Sequence, residues 1–213
     1  MHACVRQKRQ GMHKQKQAPQ EALNKAYLKI KPYKEEIRSF QNEISRLLKW
    51  GNEQEREDYH KNLIIDFLKK SHYDPDYNIN TKGDNDLVIH SSEDPKSPVA
   101  VIIETKRPGN KGEMVQEGNL NAKAMQELVL YYLRERITGN NLKITHLIIT
   151  NHYEWFLFDA NVFEKAFAES KSLVKQFHDF EAGRLSGTDT SFFYKEIAAP
   201  AIAEVHDSLQ YTW

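Results

Sequence analysis

The sequence predicts an α/β fold in which a central mixed β-sheet of about five strands is buried between helices. Two observations carry this expectation. Apolar residues recur every three or four positions up to about residue 70 and again between about residues 119 and 138, the spacing of a helix face. Between and after these stretches lie short segments rich in Ile and Val, bounded by Gly, Asp, Ser and Pro, which read as strands. The resulting order is helices, three strands, helix, two strands, helices, and it describes a sheet covered on both sides. With 213 residues and 39% hydrophobic content, the chain has material for one ordinary core.

Residues 1–20 are rich in Lys, Arg, Gln and His and show no hydrophobic period, so a disordered basic arm is expected there. Residues 21–52 read as an N-terminal helical segment. Leu23, Tyr27 and Ile30, then Ile37, Phe40, Ile44, Leu47 and Leu48, describe two helices broken near Pro32. The central core spans residues 53–160. It opens with a helix over about 53–70 whose stripe is Leu63, Ile64, Phe67 and Leu68, and Glu57 shares the face of Ile64. Three strands follow, over 77–81, 85–90 and 98–106. A long helix over 119–138 buries Met125, Leu128, Val129, Tyr132 and Leu133. Two further strands, 143–150 and 154–158, are joined by a polar turn at Asn151–Tyr153. Residues 161–213 form a C-terminal helical segment interrupted between Gly183 and Gly187.

Several classes are excluded. The longest apolar runs, such as Val99–Ile103, are strand-sized and cannot span a bilayer. The polar, basic N-terminus lacks the apolar stretch of a signal peptide, so a cytoplasmic protein is expected. Cys4 is the sole cysteine, which rules out an internal disulfide and a thiolate zinc site. The nine His show no metal-ligand spacing. The formal net charge of zero conceals an asymmetry: residues 1–34 hold nine Lys or Arg against one acid, Glu21. Charge by itself reads as a solvated tail, with attraction to a polyanion as the sharper alternative.

The candidate chemistry sits on the strands. Asp86 opens the second strand, and Glu104 and Lys106 lie two apart on the third, so that pair shares one face. Hydrolysis of a phosphodiester needs a hard cation, and carboxylate oxygens are the ligands magnesium prefers. Asp86 and Glu104 suit that role, with the Thr105 carbonyl as a third ligand. Lys106 then orients the attacking water or offsets charge in the transition state. An acid, any residue and a lysine also occurs at Asp94–Lys96 and Glu169–Lys171, but neither follows a strand. Glu104 and Lys106 alone end an apolar run, Val-Ala-Val-Ile-Ile, with another acid on the preceding strand.

Six segments carry a resemblance: Leu23–Pro32, Ile79–Gly83, Asp86–His90, Val101–Pro108 (Val-Ile-Ile-Glu-Thr-Lys-Arg-Pro), Lys123–Tyr132 and His146–Asn151. Collinear over about Leu23–Ile202, they resemble the N-terminal nuclease region of bifunctional type IIG restriction-modification enzymes. There a PD-(D/E)xK nuclease precedes an adenine-specific DNA methyltransferase. The resemblance implies a restriction endonuclease-like core within 53–160 and double-stranded DNA as substrate. It further implies Mg2+, with Mn2+ as a substitute, on Asp86 and Glu104, and Lys106 as the catalytic lysine. Asn85 stands where the superfamily has its naming proline. No Asn-Pro-Pro-Tyr motif and no Gly-rich cofactor loop is present, so methyltransferase and target-recognition functions are expected in a downstream domain or on a neighbouring chain.

Glu57 resembles the acid that the first core helix contributes to such sites. Gln126, followed by Tyr131 and Tyr132, resembles the Gln and Tyr motif of restriction nucleases. Lys82, Arg107, Lys111 and Lys123 flank the triad and are candidates for phosphate contact. Two alternatives stay open: a repair or recombination nuclease of the same superfamily, and a catalytically silent DNA-binding module.

Overall fold

The computed structural model describes residues 15–213 with the exception of Asp84. Cys4 and the first fourteen residues of the expected basic arm lie outside the described residues. The chain enters through β1 (Lys16–Gln17), one helical turn, α1 (Pro19–Ala22), and a 3-10 turn over Tyr27–Lys29. The helix α2 (Lys34–Trp50) follows, its start marked by Glu36 accepting from the Tyr33 amide at 2.6 Å. Next come α3 (Glu57–Leu68), extended by a π turn to Tyr73, and the strands β2 (Ile79–Lys82), β3 (Asn85–His90) and β4 (Val99–Thr105). Helix α4 (Lys123–Leu133), extended by a π turn to Thr138, leads to β5 (His146–Thr150) and β6 (Trp155–Asp159). The last part holds α5 (Ala160–Phe163), α6 (Lys171–Glu181), α7 (Thr190–Phe192), α8 (Ala199–Val205) and β7 (Tyr211–Thr212).

These strands form one seven-stranded mixed sheet, ordered β1-β7-β6-β5-β4-β3-β2. Strands β2, β3 and β4 make an antiparallel meander. Strand β5 runs parallel to β4, the direction that the α4 crossover between them permits, and β6 returns antiparallel to β5. The period of two sorts the apolar side chains onto two faces. Leu87, Ile89, Val101, Ile103 and Ile148 pack against Leu47 of α2 and Ile64, Phe67 and Leu68 of α3. Val88, Ile102, Leu147, Ile149, Phe156 and Phe158 pack against α4 and the C-terminal helices, through Met125, Leu128, Tyr132, Phe163, Phe177 and Ile202 among others.

The five expected strands correspond to β2–β6, and the sheet gains β1 and β7 at one edge. Both are two residues long, too short to show alternation, and they join chain ends through the pair Lys16↔Tyr211. Lys16 and Gln17 are therefore strand where a disordered arm was expected, and Tyr211–Thr212 are strand in a tail expected to be helical. The helix expected through Leu23, Tyr27 and Ile30 is replaced by α1 and the 3-10 turn. Those three side chains are exposed, so no burial offsets the cost of nucleating a helix. Likewise only Leu47 of the α2 stripe is fully buried, while Ile37, Phe40 and Leu48 stay exposed.

Candidate active site

Pairing between β3 and β4 places Leu87 opposite Ile103, so one step further along each strand brings Asp86 beside Glu104. Lys106 lies one residue past β4, and its amide donates to the Thr150 carbonyl at 2.8 Å, prolonging the ladder with β5. Glu104 and Lys106 share the face of Ile102, which α4 covers. The N-terminal turns of α3 and α4 converge on the same end of the sheet, bringing Lys61 and Glu127 to these strands.

Asp86 is held from two sides. Its Oδ2 accepts from the Thr105 amide at 2.9 Å and from the Thr105 hydroxyl at 2.8 Å. Its Oδ1 lies 2.7 Å from Lys61 Nζ. Glu104, 1% exposed, accepts from Lys106 Nζ through Oε1, while its Oε2 is buried with no hydrogen-bond partner among the described residues. Lys106 is 4% exposed and also faces Glu127 Oε2 at 2.6 Å. Glu127 Oε1 is 3.7 Å from Lys123, which pairs at 3.0 Å with Glu113.

The electrostatics follow from this crowding. Burial raises the Glu104 carboxyl well above the usual carboxylate range, Asp86 adds to the rise, and Lys106 only partly offsets it. Burial would lower the Lys106 ammonium, but Glu104 and Glu127 outweigh it and hold the group above its ordinary value. Glu57 is also raised by burial, opposed by Lys106 and reinforced by Asp86. At Lys61 burial is outweighed by the bond to Asp86 and the charges of Asp86 and Glu57, so its ammonium too is favoured. Acids outnumber the lysines that serve them, and the excess is concentrated at Glu104.

The structure thus brings together Asp86, Glu104, Thr105 and Lys106, with Glu57 close enough to share their field. It does not bring Gln126. That amide donates to Asn121 Oδ1 at 3.1 Å, and the helix residue that reaches Lys106 is Glu127, one position later. Burial, reinforced by the charges of Glu104 and Glu127, raises the Tyr131 hydroxyl, whereas Tyr132 donates to Glu164 at 2.7 Å. Among the expected phosphate contacts, Arg107 and Lys111 are exposed, Lys82 pairs with Glu135 at 2.6 Å, and Lys123 is tied to Glu113. Lys61 and Glu127 were missed. Helical spacing contains a signal for both, since Lys61 is four residues after Glu57 and Glu127 four after Lys123. His60, His90 and His152 are buried, and each forms a hydrogen bond to a backbone carbonyl.

The donor set fits a hard divalent cation. Among the described residues no group of three His, Cys, Asp or Glu side chains stands at ligand spacing. Mg2+ does not need one, because it keeps several waters and takes one or two carboxylates. Glu104 Oε2 supplies a buried acceptor lacking a partner, and Asp86 a second carboxylate beside it. Open grooves lie away from these acids. One of about 450 Å³, lined by Leu23, His146, Leu157, Lys165 and Tyr211 among others, shares no residue with the acids.

In comparison with known protein families, residues 17–213 match the family described as Domain of unknown function (DUF7149). No curated protein and no solved structure matches the chain. Among the described residues no helix is long and apolar enough to cross a membrane.

Proposed function

The chain belongs to the DUF7149 family, and we propose that it is a Mg2+-dependent DNA endonuclease domain of the PD-(D/E)xK type, acting on double-stranded DNA within a restriction-modification system. One observation carries this reading: Glu104 Oε2 is buried with no hydrogen-bond partner among the described residues, beside Asp86 and Lys106, where β3 begins and β4 ends. An unsatisfied buried carboxylate oxygen is costly, and a cation is the partner that removes the cost.

Asp86 and Glu104, with the Thr105 carbonyl, would hold the Mg2+. Such an ion, when bound, would supply Lewis acidity toward a phosphoryl oxygen and a source of hydroxide near neutral pH. The residues of the chain do the rest. Thr105 fixes Asp86 through two hydrogen bonds, so that carboxylate is oriented in advance. Lys106 stays protonated between Glu104 and Glu127 and offsets negative charge developing on the phosphoryl group. Glu57 adds a further carboxyl at the start of α3. Arg107 and Lys111, exposed beyond β4, serve as phosphate contacts. The similarity to type IIG enzymes supports the biological setting, in which methyltransferase and target-recognition domains act in the same assembly.

The test is incubation of the purified chain with supercoiled plasmid in Mg2+, in Mn2+ and in chelator. Nicked or linear DNA is expected only with metal. Asp86→Asn and Lys106→Ala should each abolish cleavage while circular dichroism stays native. Wild-type cutting by both variants, or cutting in chelator, would refute the assignment.

A further inference from the structure

The two oxygens of Asp86 have different fates. Oδ2 is saturated by the amide and hydroxyl of one rigid neighbour, Thr105. Oδ1, the oxygen left for a ligand, is taken by the ammonium of Lys61 at 2.7 Å. Lys61 reaches it from the second turn of α3. Its side chain is 19% exposed and its next acid, Asp58, is 3.7 Å away at the surface. Lys106 is different, since it is nearly buried between two carboxylates. Lys61 has a flexible stem and a route to solvent, and an ammonium cannot share one carboxylate oxygen with a divalent cation without severe like-charge repulsion.

We propose that Lys61 is a built-in competitor for the metal site: it neutralises Asp86 until a divalent cation takes Oδ1, and once released it binds a phosphate of the DNA backbone. The proposal rests on the nuclease reading of the site. It gives Lys61 two functions. Without metal it limits the mutual repulsion of Asp86, Glu104 and Glu57, and with metal it delivers a cation to the mouth of the site. Metal binding and DNA binding are then coupled through one side chain, and each favours the other.

The coupling is measured without cleavage. Free Mn2+ is followed by electron paramagnetic resonance during titration of wild type, Lys61→Met, Lys61→Gln, Lys61→Arg and Asp86→Asn, all in the absence of DNA. Removing the competing ammonium should tighten Mn2+ binding roughly tenfold in K61M, the scale of one charge-assisted hydrogen bond. K61Q reads the same quantity should K61M lose its native circular dichroism. K61R, which keeps the charge, should bind no more tightly than wild type, and D86N should lose the site. Binding that requires Asp86 but is unchanged or weaker in K61M and K61Q would overturn the competitor role and leave the metal site standing. Absence of Mn2+ binding in wild type and in both neutral variants would overturn the nuclease reading with it. For the phosphate contact, DNA affinity in Ca2+ is measured against salt. K61M should give a log-log slope shallower by about one contact, and an unchanged slope would remove that part of the proposal.

Discussion

The four acids at the site, Glu57, Asp86, Glu104 and Glu127, do not have equivalent roles, because their partners differ. Glu104 and Asp86 have oxygens that a metal would use, while Glu127 and Glu104 hold Lys106. Ligand and catalyst can therefore be separated by substitution. Ca2+ should strengthen DNA binding without supporting cleavage, since its larger, looser shell neutralises the acids but orients water poorly. Glu104→Gln should lose that gain in affinity, and Lys106→Ala should keep it while losing cleavage in Mg2+. Filter binding in Ca2+ beside a cleavage assay in Mg2+ reads both, and equal loss of metal-enhanced binding in the two variants would show that the roles are misassigned.

At the scale of elements, α4 and α2 make opposite predictions although both show an apolar stripe. Leu128 of α4 is fully buried beneath the sheet, so Leu128→Ala should cost about 2–5 kcal/mol of unfolding free energy. Ile37 of α2 is 44% exposed, and Ile37→Ser should fall within about 0.5 kcal/mol of wild type, both read from urea midpoints. The junction of α2, α3 and the β5–β6 turn carries a pH dependence. His152, held at φ 82°, bonds the Leu47 carbonyl at 2.7 Å, and its ring meets that of His60 edge-on at 5.2 Å. Burial lowers both imidazoles below the ordinary value of 6.5, against the pull of their carbonyl bonds. Neutral rings thus contribute stability that is complete above pH 6.5 and is lost as pH falls below it. The urea midpoint should drop from about pH 7.5 to about pH 5.5, and drop less in His152→Asn, which tolerates the left-handed backbone. Equal drops would remove His152 as the cause.

For the whole molecule, the balance of 30 basic and 30 acidic side chains gives no net attraction to DNA, so under the proposed function affinity would come from local cations such as Arg107 and Lys111. Binding dominated by phosphate contacts should weaken steeply with salt and depend little on base sequence. On the nuclease reading proposed above, base readout would belong to a separate target-recognition domain. Cleavage by this chain alone should therefore scatter over a plasmid. A discrete set of cut positions, mapped by end-labelling, would contradict this.

Local pattern was enough to place β2–β6, α3 and α4: the strands are short apolar runs bounded by turn residues, and the two helices repeat an apolar face about every 3.6 residues. It was also enough to single out Asp86, Glu104 and Lys106, since charges at the end of the apolar run Val99–Ile103 stand out without any knowledge of what surrounds them. Only the tertiary structure decided the rest. Strands β1 and β7 exist through pairing between chain ends and have no period of their own. The stripe through Leu23, Tyr27 and Ile30 had no surface to bury it, which periodicity cannot reveal. Glu127 in place of Gln126, and Lys61 on Asp86, depended on how α4 and α3 are rotated against the sheet. A rotation of one residue, about 100° around a helix, exchanges the side chain that enters the site for its neighbour, and packing of the whole core sets that angle.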